Sequence, residues 1–377
     1  MNICILTGDF PPIRGGIANY IQGVYTGFKS LGHECRVLFL PANEPAKIEN
    51  PDVRLVPIGG NHRITRVFSA WRAIRSQKKV IRNSDLVLVS AWSPLGTAYR
   101  LCFESEKPHS ILLSYGNDVY EPLRSARLKK KMRKTFDYFD GLAAISQYTA
   151  RLCEKVTGKQ IQIIGGGLDR RFLQILDKTS LRVQDKPLTF LSVGRLIERK
   201  GCGPVLDCLA QIRRHLPAWR YWIIGQGAYE PELRRKIADY GLAENVEILT
   251  RVSFDELLWR YEAADLFIMI SREIPEQGEV EGLGLVYMEA GAAYLPVLAG
   301  RTGGVVDVVF HRQNGLLVDP LSNDEISENI LELSRNESLR TQLGRNGRKL
   351  AEEEWRWETV ALKIMAAAER KGEETKC

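Results

Sequence analysis

At 377 residues, with 44% hydrophobic and 26% charged positions, the chain is too long for one ordinary core and is composed like a globular protein, so two domains are expected. The opening MNICILTGDFPP has too short an apolar run for a signal peptide, and no stretch approaches the roughly 18 apolar residues of a membrane span. The net charge of +7 is uneven: residues 1–180 hold 27 Lys and Arg against 15 Asp and Glu, a net +12, and residues 181–377 hold 26 against 31, a net −5. The two halves are therefore expected to meet different partners.

The apolar run Asn2 to Thr7 predicts a buried parallel strand. It leads into GDFPPIRGGIANY, a Pro/Gly-rich loop whose Gly15 and Gly16 precede a helix over Ile17 to Leu31. Strands are then predicted at Cys35–Leu40, Leu86–Ser90, Ser110–Tyr115, Gly141–Ile145 and Ile161–Ile164. The helices between them fall at Thr65–Arg82, Leu95–Phe103, Ser125–Phe136 and Gln147–Val156. Alternation of this length implies a parallel sheet covered on both faces.

Gly165 to Lys186 breaks the rhythm with a glycine triplet and polar residues and reads as an interdomain linker. Strands resume at Leu188–Val193, Tyr221–Ile224, Val246–Leu249, Leu266–Ile270 and Val297–Ala299. The accompanying helices are Gly203–His215, Pro231–Tyr240, Asp255–Ala264 and Leu285–Ala293. From Asp324 onward the chain reads as helical, with Trp355 and Trp357 marking a bend before a last helix at Thr359–Lys371. The pattern predicts two doubly wound domains with a cleft between them, and ligands of such sheets lie at the carboxyl ends of the strands.

The seven cysteines (4, 35, 102, 153, 202, 208 and 377) are odd in number and lack CxxC spacing, so they read as reduced thiols of a cytosolic protein, without a zinc site or disulfide frame. A nicotinamide-binding Rossmann domain would need GxGxxG after its first strand. GDFPPIRGG lacks that spacing, and after Gly225 and Gly227 the third glycine position holds Glu230. A hydride-transferring enzyme is set aside on that ground.

The stretch EVEGLGLVYMEAGAAYLPVLAGRTGG, Glu279 to Gly304, carries the chemistry. Its glycines sit where a helix begins, so free N–H groups and the positive end of the helix dipole can face an anion. Glu289 stands in an otherwise apolar helix, where a carboxylate is costly unless something hydrogen-bonds it. A polyhydroxylated ligand carrying phosphates would satisfy both features.

SVGRLIERKG, GQGAYEPEL, EGLGLVYMEAGAAYLPVLAGRTGG and NGLLVDP occur in that order, with GDFPPIRGGIANY and ISQYTARL ahead of them. The set resembles the retaining glycosyltransferases of family four and covers almost the whole chain. GDFPPIRGGIANY and GEVEGLGLVYMEA look most like the phosphatidylinositol mannosyltransferases that use GDP-mannose. The resemblance implies an α/β fold of two Rossmann-like doubly wound domains facing a cleft, the GT-B fold. Residues 1–180 would bind the acceptor and 181–358 the nucleotide-sugar, and a C-terminal helix at 359–377 would cross back to the first domain. It also implies transfer of a hexosyl group, GDP-mannose being favoured over a UDP-sugar, to a glycan or lipid-linked acceptor without a metal or other cofactor.

By position, the resemblance assigns Arg195 and Lys200 to the donor diphosphate, in keeping with two cations that can stabilise a leaving diphosphate without a metal. Glu281 corresponds to the glutamate that binds the donor sugar, and Glu289 to the one that binds the ribose. Gly282 and the amides of Gly284, Leu285 and Val286 would serve sugar and phosphate, and Gly15 and Gly16 would let the first domain approach the phosphates. One departure stands in SYGNDVY: Tyr115 replaces the usual histidine, with Gly116 and Asp118 retained. A tyrosine can hydrogen-bond a hydroxyl but does not titrate near neutral pH as an imidazole does. An inactive nucleotide-sugar-binding protein of the same fold and a nucleotide-sugar epimerase are therefore the alternatives.

RITRVFSAWRAIRSQKKVIR (63–82) and RLKKKMRK (127–134) are cationic segments with interspersed apolar residues. Arg127, Lys129, Lys130, Lys131, Arg133 and Lys134 are expected to form a patch for an anionic membrane surface or acceptor, placing the protein at the inner face of a membrane. Nucleic acid binding is not expected, because stacking platforms and a recognition motif are absent.

Overall fold

The structure is a computed structural model that describes residues 1–13, 15–42, 48–60, 62–103, 107–123, 125–177 and 186–369. The chain divides into two compact units, Met1–Gly167 with Arg356–Cys377, and Leu168–Trp355. The passage into the second unit comes at Gly167 rather than at residue 180. The 3₁₀ turn Arg170–Gln174 belongs to the second unit, because Arg348 donates to the carbonyls of Leu173 at 2.6 Å and Ile175 at 3.2 Å. Part of the predicted linker, 178–185, lies outside the described residues.

In the first unit the order is β1 (Asn2–Thr7), α1 (Gly16–Ser30), β2 (Glu34–Phe39), β3 (Val53–Leu55), α2 (Arg63–Ser76) and α3 (Lys78–Arg82). It continues with β4 (Leu86–Ser90), α4 (Thr97–Cys102), β5 (His109–Ser114), α5 (Asn117–Leu123), α6 (Ala126–Phe136), β6 (Gly141–Ala144), α7 (Gln147–Thr157) and β7 (Gln162–Ile163). The seven strands form a parallel sheet in the order β3-β2-β1-β4-β5-β6-β7. β1, β4 and β5 are buried along almost their whole length and apolar at their centres because helices cover both faces of the sheet. The direction of winding reverses between β1 and β4, so the loops after these strands flank the switch point.

The second unit runs β8 (Leu188–Val193), α8 (Cys202–Ile212), β9 (Trp219–Ile224), α9 (Glu230–Asp239), β10 (Val246–Leu249), α10 (Phe254–Ala263) and β11 (Leu266–Met269). Then follow α11 (Leu285–Ala292), β12 (Val297–Gly300), β13 (Gly315–Val318), α12 (Asn323–Arg335) and α13 (Glu337–Glu353). Its parallel sheet has the order β10-β9-β8-β11-β12-β13, with the reversal between β8 and β11. α14 (Trp357–Glu369) returns to the first unit and lies on α1. Gly23 and Gly27 leave a bare stripe there, and a Cβ at Gly23 would sit 2.0 Å from the Trp357 ring. The predicted helix end and the span 370–377, Cys377 included, lie outside the described residues.

Most predicted elements agree with the structure within a residue or two. The exceptions have local causes. The single helix expected over Thr65–Arg82 breaks at Gln77, which ends α2 and starts α3. β3 and β13 are too short to show a period, and α5 is started by the Asp118 side chain rather than by an apolar stripe. The six described cysteines are free and buried.

Candidate functional site

Both loops at the switch point of the second unit bring charged side chains together. After β8, Gly194 to Gly201 carries Arg195, Arg199 and Lys200; after β11, Ser271 to Gly284 carries Glu281. Glu281 Oε2 accepts from Lys200 Nζ at 2.7 Å, Arg199 Nη1 at 2.7 Å and Ser271 Oγ at 3.2 Å. Ser271 is oriented in turn by Tyr287 of α11, whose hydroxyl lies 3.1 Å from Ser271 Oγ and 3.0 Å from the Met269 carbonyl. All of these side chains are buried. Burial alone would raise the Glu281 carboxyl, but Lys200 and then Arg199 outweigh it and hold it at about 2. Burial pushes Lys200 down, an effect that Glu281 partly offsets. Glu281 thus holds two cations in an enclosed place, and Arg199 has a second, more exposed carboxylate in Glu279, 3.7 Å from its Nε.

Arg195 is exposed, and its side chain makes no ion pair or hydrogen bond to the described residues. Backbone bonds brace the loops. Arg272 donates its N–H to the Arg199 carbonyl at 2.9 Å, and Gly304 donates to the Glu281 carbonyl at 2.8 Å. Arg272 also pairs with Glu198.

Gly284 precedes α11 with φ +88, and a Cβ there would sit 2.5 Å from the Tyr287 ring, so the turn requires glycine. The amides of Leu285 and Val286 open the first turn, where no helical acceptor exists, and carry the positive end of the dipole. Gly282, in the loop just ahead, is half-buried. Five residues into α11, Glu289 accepts from Tyr261 Oη at 2.8 Å. Burial raises its carboxyl to about 7, against the smaller lowering by Tyr261. One carboxylate is thus held ionised and the other is poised to hold a proton at neutral pH. The second unit brings together Arg195, Lys200, Glu281, Gly282, Gly284, Leu285, Val286 and Glu289. It adds Arg199, Ser271, Tyr261 and Tyr287, which reasoning from sequence missed. Arg199 had a signal: it sits inside the same ERKG stretch as Lys200.

The expected residues of the first unit are arranged differently. Tyr115 is buried, its hydroxyl 2.9 Å from Ser90 Oγ and its ring edge-on to Tyr20 at 5.9 Å. Asp118 Oδ1 accepts the N–H groups of Tyr115 at 2.8 Å and Gly116 at 3.0 Å, closing the turn before α5, while its Oδ2 is buried without a hydrogen-bond partner among the described residues. Burial raises its carboxyl to about 6 despite those bonds. A Cβ on Gly15 or Gly16 would face open space, so packing within the chain does not demand glycine at either. Arg127, Lys129, Lys130, Lys131, Arg133 and Lys134 are exposed on α6. Arg133 reaches Asp137 at 3.9 Å, whereas the other five make no ion pair among the described residues. No described helix is long and apolar enough to cross a membrane.

Known proteins resemble this chain in sequence and fold. The family profile described as "Glycosyltransferase Family 4" matches residues 14–172, and that described as "Glycosyl transferases group 1" matches 174–350. A GDP-mannose-dependent alpha-(1-6)-phosphatidylinositol monomannoside mannosyltransferase of Mycobacterium tuberculosis is 28% identical over 376 residues, 96% of each chain. A GDP-mannose-dependent monoacylated alpha-(1-6)-phosphatidylinositol monomannoside mannosyltransferase of Corynebacterium glutamicum is 28% identical over 377 residues, again 96% of each. Among solved structures, sucrose-phosphate synthase of Thermosynechococcus elongatus superposes with a TM-score of 0.80 at 19% identity, covering 100% of both chains. Anabaena HepE in complex with UDP and glucose gives 0.78 at 18%, covering 98% of this chain and 100% of its own.

Proposed function

The chain belongs to glycosyltransferase family 4, with the GT-B fold of two Rossmann-like domains, and from that premise we propose that it is a retaining, metal-independent hexosyltransferase. In this reading it moves mannose from GDP-mannose to a lipid-linked acceptor while associated peripherally with an anionic membrane. The observation that carries the reading is the charge arrangement at the second unit's switch point. Arg199 and Lys200 converge on Glu281, Arg195 stands free beside them, and the amide-lined start of α11 follows.

A nucleoside diphosphate leaving group needs positive charge that does not reorganise during the reaction. Arg195, Lys200 and the amides of Leu285 and Val286 supply it, and protein cations take the part that a metal takes elsewhere. Glu281 is held as an acceptor-only carboxylate suited to sugar hydroxyls, and the ionised form of Glu289 suits a ribose diol. The mannosyl and lipid assignments draw on the names of the full-length mycobacterial and corynebacterial relatives.

The test is release of free nucleoside diphosphate from GDP-mannose and from UDP-glucose, each with and without a phospholipid extract, together with the anomeric configuration of the product. Turnover of GDP-mannose that depends on lipid and gives an α-linked product supports the proposal. Absence of turnover with every donor and acceptor would overturn it. A second reading, donor binding without transfer, is favoured by one observation: Tyr115 is buried against Ser90 where the family carries a histidine. Nucleotide binding with no turnover is its signature.

A further inference from the structure

The first unit carries a groove of about 650 Å³ that the donor chemistry does not use. One wall is α2, with Ile64, Val67, Phe68 and Trp71; buried Trp92 and half-exposed Leu101 complete the apolar lining. Ile64 and Phe68 are 78% and 58% exposed, unusual for large apolar side chains on one helix face, and Phe68 stacks on Trp71 at 5.6 Å. Cations ring this apolar lining. Arg63 lies over the Trp92 ring at 4.8 Å, and Lys131 and Lys134 project from α6 on the opposite side. Arg100 lines the groove with its Nε buried and lacking a hydrogen-bond partner among the described residues. Neither α2 nor α6 contains a single Asp or Glu.

Position adds to chemistry. Trp92 belongs to the turn after β4, one of the two loops that flank the switch point of this sheet, where doubly wound folds bind their ligands. Its indole N–H donates to the Asp118 carbonyl at 2.6 Å, joining the groove lining to the turn after β5.

We propose that the groove seats one apolar chain of an anionic amphiphile, a lipid whose phosphate is held by Lys131, Lys134, Arg63 and Arg100 at the rim. The occupant is chosen by charge complementarity. An apolar trough excludes a free sugar phosphate, and a wholly basic rim selects an anionic head over a neutral one. The proposal rests on the lipid-linked-acceptor reading above and sharpens it. The acceptor's chain is drawn into the protein rather than left in the membrane, and cations of the groove bind its head.

The probe is a monoacyl phosphate, brominated along its chain and used below its micelle concentration, which quenches tryptophan on contact. Quenching should saturate at one amphiphile per protein, and Trp71→Phe should remove part of it. Ile64→Glu and Phe68→Glu, both at exposed positions, should each weaken binding about tenfold or more. Lys131→Glu combined with Lys134→Glu should weaken it to a similar extent, and an uncharged monoacylglycerol of the same chain should bind about tenfold less tightly. Quenching that does not saturate, equal binding of the uncharged chain, unchanged affinity in the variants, or displacement by an acidic peptide would each overturn the proposal. Thermal stabilisation by GDP, read on the same samples, separates the two readings. Intact quenching without a GDP shift sinks the donor assignment and leaves the groove; a GDP shift without quenching does the reverse.

Discussion

Lys200 Nζ and Glu281 Oε2 stand 2.7 Å apart with both side chains buried, so a carboxylate already neutralises the lysine that a donor phosphate would use. Arg199 reaches the same oxygen at 2.7 Å and also lies 3.7 Å from Glu279 through its Nε, so two cations face two carboxylates.

Replacing Glu281 by Gln removes that neutralisation and leaves Lys200 buried without a carboxylate, while Arg199 keeps only the longer contact to Glu279 at 3.7 Å. Breaking a buried pair in this way costs about 3–5 kcal/mol. The loss should be seen at neutral pH in urea unfolding. The folded-state carboxyl is held at about 2, below its ordinary value, so the stability it contributes is present above about pH 4.5 and disappears as pH falls toward 2. The Gln variant should lack this acid limb. Because a diphosphate can then pair freely with Lys200 and Arg199, GDP should raise the variant's Tm by more than the wild type's, while transfer falls.

Arg195 is exposed and its side chain has no hydrogen bond or ion pair among the described residues, so Arg195→Ala should leave the urea midpoint unchanged. Its kcat should nonetheless fall about a hundredfold, the usual effect of removing one preorganised charge contact. Near-normal turnover would remove Arg195 from the diphosphate site.

Glu289 titrates in the physiological range. Its carboxyl is raised to about 7 by burial, so between about pH 4.5 and 7 the folded chain holds a proton that the unfolded chain releases, and stability declines as pH rises through that window. Glu289→Gln should flatten this decline, which is on the order of 1–3 kcal/mol. Ribose hydroxyls donate to the ionised form, so calorimetry should find nucleoside affinity rising through pH 7 with proton release, and both effects should vanish in the Gln variant.

Donor turnover should survive a chelator. Arg195, Lys200 and the first amides of α11 furnish the charge that a leaving diphosphate needs, so EDTA should change kcat by less than about twofold. Activity lost on chelation and restored by magnesium or manganese would refute this.

Lys129, Lys130 and Lys131 are exposed on α6 without ion pairs among the described residues. Each contributes roughly 1 kcal/mol at an anionic membrane surface, screened within a Debye length. Charge reversal of all three should release the protein from vesicles containing anionic phospholipid. Neutral vesicles should not bind either form. Lack of sedimentation of the wild type at physiological salt would remove the membrane from the proposal.

Elements and boundaries were legible in the sequence where the signal is local. Apolar runs such as Leu86–Ser90 read as strands because both sheet faces are covered, and Gly284 announced a helix entry because the turn needs φ +88. The ordered motifs sufficed for the family, and they placed Glu281, Glu289, Arg195 and Lys200 on the loops and helix where the structure has them.

What a side chain does in its place depended on residues distant in the chain. Arg199 and Glu281 are 82 positions apart and meet only because β8 lies beside β11, a pairing that no local period encodes. Tyr261 reaches Glu289 across 28 positions for the same kind of reason, and the carboxyl's pKa follows from the burial that packing imposes. Tyr115 and Asp118 looked like ligand groups by motif. Packing turned one inward against Ser90 and committed one oxygen of the other to backbone amides, leaving Oδ2 buried and unpartnered among the described residues. The basic segments read as a cationic face, and only the juxtaposition of α2, α4 and α6 shows that they surround an apolar groove. Sequence determines which groups the chain carries and where its elements begin; tertiary packing decides which charges meet and which are shielded from water, because Coulomb and desolvation energies depend on distance in space rather than along the chain.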